Sequence, residues 1–133
     1  MDLVSDALCR IKNAYRAKHT LTLLPASLVV FRICTVMAAR GFVDSVRWLS
    51  LRSTGMQDKI VVTFKYSGVR RVSAIKGLKR ISKPGARLYL PSRRLPRLLG
   101  GLGLVIVSTS SGIMSVSRAK SLGIGGEVVC YVW

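Results

Sequence analysis

Apolar residues recur at helical spacing near the start of the chain, where Val4, Leu8, Ile11 and Tyr15 share a stripe that Arg10, Lys12, Arg16 and Lys18 largely avoid. The pattern predicts a helix over residues 5–18, capped by Asp2 or Ser5, with acids at its start and cations towards its end as the helix dipole favours. Its cations either touch phosphate or face solvent. Residues 19–24 read as a short strand or extended link. Pro25 and Ser27 then signal a second helix to about Arg40, with Leu28, Phe31, Val36, Ala38 and Ala39 as its apolar surface and Gly41 as a left-handed stop. Residues 42–51 alternate imperfectly as a strand, residues 52–57 read as a hairpin connection around Ser53-Thr54-Gly55, and residues 59–66 form the returning strand.

A change of character begins at Gly68. Short strands are expected at residues 72–75, 78–81 and 87–90, with Pro84-Gly85 as a tight turn between the last two. Residues 91–99 form a turn or short helix, because Pro96 forbids a long one. Residues 104–107 make a buried strand, residues 116–122 one or two helical turns, and residues 127–133 a last strand whose alternation puts Val128, Cys130 and Val132 on one face. The fold class is therefore α/β in two small domains: an N-terminal α/β unit over 1–67 and a mainly β unit with short helices over 68–133. A length of 133 residues, half of them hydrophobic, suffices for such cores.

Charge changes the picture more than length does. The net charge is +17, and twelve Lys and Arg residues crowd residues 59–97 while no carboxylate occurs over residues 59–126. A solvated face normally intersperses both signs, so this balance points to a polyanionic partner. The apolar stretches are too short for a membrane span, and the first twenty residues, with two acids and no long apolar block, suggest neither a secretory signal nor an organellar presequence.

Catalytic material is scarce. His19 is the only histidine and sits in the early link, where a solvent-facing role is expected; four of the five carboxylates precede residue 59, so neither paired-carboxylate nor Ser-His-Asp chemistry has its parts. Cys9, Cys34 and Cys130 show no metal-ligand spacing and are expected to pack as small hydrophobes. No cofactor or metal is expected. The Gly101-Leu102-Gly103 run precedes a strand instead of following one, which excludes a dinucleotide fingerprint. Residues 108–115 are different: their hydroxyls and loop N–H groups either bind phosphate, sugar or base edges, or satisfy one another in an ordinary hairpin.

Five blocks carry a specific likeness: S-D-A-L-C-R-I-K-N-A at residues 5–14, I-S-K-P-G-A-R-L-Y at 81–89, G-G-L-G-L at 100–104, S-T-S-S-G-I-M at 108–114 and I-G-G-E-V-V-C-Y-V-W at 124–133. Together, nearly end to end, they resemble the ribosomal protein S8 family of the bacterial and organellar type. The resemblance implies a two-domain α/β protein that binds the central domain of small-subunit ribosomal RNA, beside neighbouring small-subunit proteins, and supports assembly. It places Ser108, Thr109, Ser110, Gly112 and Glu127 against or behind the RNA, and Lys83, Pro84, Gly85, Arg87 and Tyr89 in a second exposed block. Ser111 stands where the family often carries Lys, which removes one phosphate contact.

Arg93 and Arg94 are further expected phosphate contacts. Glu127 either accepts from a base amino group or pairs with a neighbouring cation, and Tyr89 either stacks on RNA or joins the core. The blocks lean towards a plastid ribosome, with mitochondrial and bacterial ribosomes as alternatives. A basic protein that compacts DNA or RNA is the rival reading, distinguished by indifference to Ser108–Ser110 and equal affinity for duplex DNA.

Overall fold

Asp2 starts the first element by accepting from the Val4 N–H at 3.2 Å and the Ser5 hydroxyl at 2.7 Å, which satisfies a donor that no helical turn precedes. In this computed structural model, which describes residues 2–133, α1 runs over Leu3–Arg16 and buries Ala7, Leu8, Ile11, Ala14 and Tyr15. Strand β1 (Leu21–Pro25), helix α2 (Leu28–Ala39), and strands β2 (Val43–Leu49) and β3 (Lys59–Phe64) follow, then the short pair β4 (Tyr66–Ser67) and β5 (Val72–Ser73). An antiparallel sheet of order β1-β3-β2 carries Leu24, Val43, Ile60, Val62 and Phe64 into the core.

Two expectations change here. Helix α2 buries Val30, Ile33, Cys34 and Met37, whereas Leu28 is 57% exposed and Ala39 is also exposed. The helix is apolar almost all round, so its pattern does not choose a face; the sheet beneath it does. The expected strand over 59–66 stops at Phe64, and Tyr66 turns away to pair with Ser73.

The first unit ends at Lys76 and the second spans Gly77–Trp133. The expected boundary after residue 67 falls inside the first unit, because β4 pairs with β5 and the Ala74 N–H returns to the Lys65 carbonyl at 2.9 Å. In the second unit β6 (Leu78–Arg80), β7 (Tyr89–Leu90), β8 (Leu104–Thr109), β9 (Gly112–Ser115) and β10 (Gly126–Val132) form an antiparallel sheet whose main path is β6-β10-β8-β9, and helix α3 (Val116–Leu122) connects β9 to β10. Strand β7 also pairs with β10, beside its first residues. Val116 and Ala119 of α3 join Val105, Val107, Met114, Val128 and Leu95 in one core.

A β-bulge interrupts β10: Val128 opposes Val107, yet Cys130 opposes Ile106, so Val129 is the extra residue. Adjacent residues of β8 point to opposite faces. Val128 and Cys130 therefore lie on opposite faces, and the single face expected for Val128, Cys130 and Val132 does not form. Cys34 and Cys130 are buried as expected, and burial pushes the Cys34 thiol up to about 12; Cys9, by contrast, is exposed on α1. No described helix is long and apolar enough to cross a membrane.

Candidate nucleic-acid interface

Ser82 is the only buried polar residue in the described chain, and it anchors an exposed turn. Its hydroxyl accepts from the Leu88 N–H at 2.9 Å, its own N–H donates to Val128 at 3.2 Å, and its carbonyl accepts from Arg80 Nε. Lys83 and Ala86 close the tip by reciprocal backbone bonds of 2.9 and 3.2 Å, which pushes Lys83, Pro84 and Gly85 into solvent. Proline sets φ and glycine tolerates the turn, so this short sequence needs only one buried anchor.

Strand register then assembles a row across the sheet. Tyr89 of β7 opposes Glu127 of β10, which opposes Ser108 of β8, which opposes Ile113 of β9. The adjacent row, Val128, Val107 and Met114, is buried in the core, so the Tyr89–Glu127–Ser108 row points from the other face. Tyr89 is 67% exposed, which leaves its ring available to a base or ribose and excludes a core role. Arg87 Nη1 meets Glu127 Oε1 at 2.8 Å, and the Glu127 side chain is only 13% exposed. The acid thus holds a guanidinium in place within the row. A carboxylate has several acceptor sites, so Glu127 keeps the capacity to accept from a base amino group.

At the end of that row β8 turns into β9 through Ser110 and Ser111. The Thr109 hydroxyl donates to the Gly112 carbonyl at 2.8 Å and accepts from the Ser111 N–H at 3.2 Å, so it shapes the turn. Ser110 and Ser111 are exposed, and neither hydroxyl has a protein partner among the described residues. Gly112 adopts φ +114°, a conformation that a side chain would strain. Gly126 is equally constrained: a Cβ there would lie 2.3 Å from the Ser108 carbonyl oxygen. At Gly125 a Cβ would meet the Leu90 carbonyl at 2.4 Å, which brings the Ser92–Arg94 turn beside the start of β10 with Arg93 and Arg94 exposed.

The sequence-derived site residues therefore gather around one end of the second unit's sheet, although their roles divide. Lys83, Tyr89, Arg93, Arg94, Ser110 and Ser111 are exposed; Thr109, Gly112 and Glu127 build the surface; Pro84 and Gly85 form the turn. Sequence reasoning missed Ser82, Gly125 and Gly126 as scaffold, and it missed β9 altogether. Ser82 lies inside the I-S-K-P-G-A-R-L-Y block, so a burial signal was the missing piece. His19 lies exposed in the link after α1, where its carbonyl accepts from the Tyr66 hydroxyl. Hydroxyls, an aromatic ring and guanidinium groups on a shallow sheet edge can bind sugar, phosphate and base edges, and Glu127 is the second unit's only side-chain carboxylate.

Comparison with known proteins matches residues 2–133 to the family model described as Ribosomal protein S8. Similar curated proteins include the small ribosomal subunit protein uS8 of Thermosynechococcus vestitus, 47% identical over 99% of this chain and 97% of its own. The proteins of the same name from Prochlorococcus marinus and a Synechocystis strain are 46% and 43% identical over the same shares.

Proposed function

Because the chain belongs to the ribosomal protein S8 family, we propose that it is a non-catalytic structural component of the small ribosomal subunit that binds the central domain of small-subunit ribosomal RNA and supports its assembly. The observation that carries this reading is the Tyr89–Glu127–Ser108 row, flanked by exposed cations and by no second side-chain carboxylate in its unit. Lys83, Arg93 and Arg94 supply salt-dependent attraction to phosphates. Ser108, Ser110 and Ser111 offer small donors and acceptors that fit a shallow RNA groove bearing 2′-hydroxyls, and Tyr89 offers a stacking plane. Arg87, fixed by Glu127, presents its guanidinium at a defined place in that surface.

The protein works in a ribosome, and the cyanobacterial relatives favour one of plastid or cyanobacterial lineage. Binding of the chain to a small-subunit ribosomal RNA transcript, titrated with salt and with duplex DNA as competitor, tests the reading. Affinity is expected to fall steeply with salt, and excess duplex DNA is expected to leave the complex largely intact. A flat salt response, or equal affinity for the duplex, contradicts it and favours a general compacting protein.

A further inference from the structure

Two serines follow a pair of cations at the third and second positions before them: Ser73 after Arg70-Arg71, and Ser82 after Lys79-Arg80. Basophilic protein kinases read such doublets, because acidic groups in their substrate clefts pair with both cations. The structure separates the two serines. Ser82 is 0% exposed and its hydroxyl holds the Leu88 N–H, so it is committed to the fold. Ser73 is partly exposed at the end of β5, just after the exposed Arg70, Arg71 and Val72. Its hydroxyl oxygen accepts from the Ile75 N–H at 3.1 Å, a role that does not use the hydroxyl proton. Phosphoryl transfer needs this segment extended, and β4 and β5 share only the pairs Tyr66–Ser73 and Ser67–Val72, a ladder short enough to open locally at little cost. Arg71, at φ +53°, gives up a left-handed conformation when it does.

The second, independent observation is a place for the product. Ser73 lines a concavity of about 390 Å³ together with Lys18, Arg70, Arg71 and Lys76, and no carboxylate lines it. Lys18 Nζ donates to the Arg70 carbonyl at 3.0 Å and Arg71 Nη2 donates to the Lys18 carbonyl at 3.3 Å, so both cations are held beside the hairpin while each keeps further N–H donors. A phosphoserine brings a charge of about −1.5 to −2 and three acceptor oxygens into a cluster of cations that lacks a counter-charge.

We propose that Ser73 is a phosphorylation site for a basophilic serine/threonine kinase, and that the phosphoserine engages the surrounding cations, steadies the hairpin and weakens the chain's attraction to RNA. In the transfer a bond forms between Ser73 Oγ and the γ-phosphorus of ATP as the bond from that phosphorus to the β,γ-bridging oxygen breaks; the hydroxyl proton passes to the kinase's catalytic carboxylate, and ADP leaves. The effect on RNA rests on the RNA-binding reading above. The modification itself does not.

The test incubates the full chain with ATP and the catalytic subunit of cyclic-AMP-dependent protein kinase, and maps the product by mass spectrometry. A single phosphoryl group is expected at Ser73 and none at Ser82; Ser73→Ala is expected to abolish it, and Arg70→Gln, which alters an exposed side chain, to slow it about tenfold. The phosphorylated chain, free of RNA, is expected to melt about 3 °C higher at low salt, with the difference closing at high salt. Its affinity for a small-subunit ribosomal RNA transcript is expected to fall about fivefold. A chain left unmodified at Ser73, or labelled as well after Ser73→Ala, overturns the site. Modification of Ser73 with no rise in melting temperature overturns the role of the concavity, and unchanged RNA affinity overturns the effect on RNA. An unmodified chain that binds RNA without salt dependence overturns the proposed function instead, while labelling at Ser73 still upholds the site.

Discussion

The two units use their few acids differently. In the first, every carboxylate with a described partner serves local structure: Asp2 caps α1, Asp6 meets Arg10 at 3.2 Å one helical turn away, and Asp58 ties the β2–β3 connection. The second unit has one side-chain acid, Glu127, and it sits in the middle of the candidate interface, where it orients Arg87. A large net charge identifies the class of partner. The placement of the rare acids shows which cations are already engaged and which surface has been built with care.

The comparison breaks most severely at Gly126. Replacing it by Val drives a side chain into the Ser108 backbone and is expected to cost about 3 kcal/mol in a urea titration, with loss of RNA binding because β8 and β10 separate. Ser82→Ala leaves the Leu88 N–H without its buried acceptor; it is expected to cost about 2 kcal/mol and to loosen the Lys83–Ala86 turn, read by faster amide exchange at Leu88. Glu127→Gln sharpens the contrast. The ion pair it weakens is partly exposed, so stability is expected to fall by only about 0.5 kcal/mol, while discrimination of ribosomal RNA from duplex DNA declines as Arg87 loses its orientation.

The smallest effect belongs to the first unit's Asp58. The Leu51 N–H and then the Trp48 indole hold its carboxyl below the usual 3.8 against an opposing desolvation, and Arg52 adds the least of these effects. A carboxyl with a lowered folded pKa contributes stability above its unfolded value and loses that contribution as pH falls through the folded one. Asp58→Asn is therefore expected to lower the melting temperature slightly at pH 7, and the difference from wild type is expected to shrink in acid well below 3.8. Calorimetry at both pH values checks the sign.

Much of the fold was legible where one face of an element is polar. Helix α1 and strand β8 follow their patterns because water defines one side of α1 and an unbroken apolar run defines β8. Helix α2 has no polar side to orient it, and the bulge at Val129 carries no glycine or proline to announce it, so both facing assignments failed. Strand β9 hid because Gly112-Ile113-Met114-Ser115 offers only two apolar residues within a hydroxyl-rich stretch. The site was legible as residue types through a family resemblance. Its geometry was not, since the Tyr89–Glu127–Ser108 row depends on the register of three strands far apart in the chain.

The most direct test of the central claim is the position of these residues in a solved small ribosomal subunit containing this protein. The account predicts Ser108, Ser110 and Tyr89 within contact distance of ribosomal RNA sugars, phosphates or bases, with Arg87 still paired to Glu127 beside them. A particle in which that row faces solvent or another protein, with no RNA against it, would contradict it.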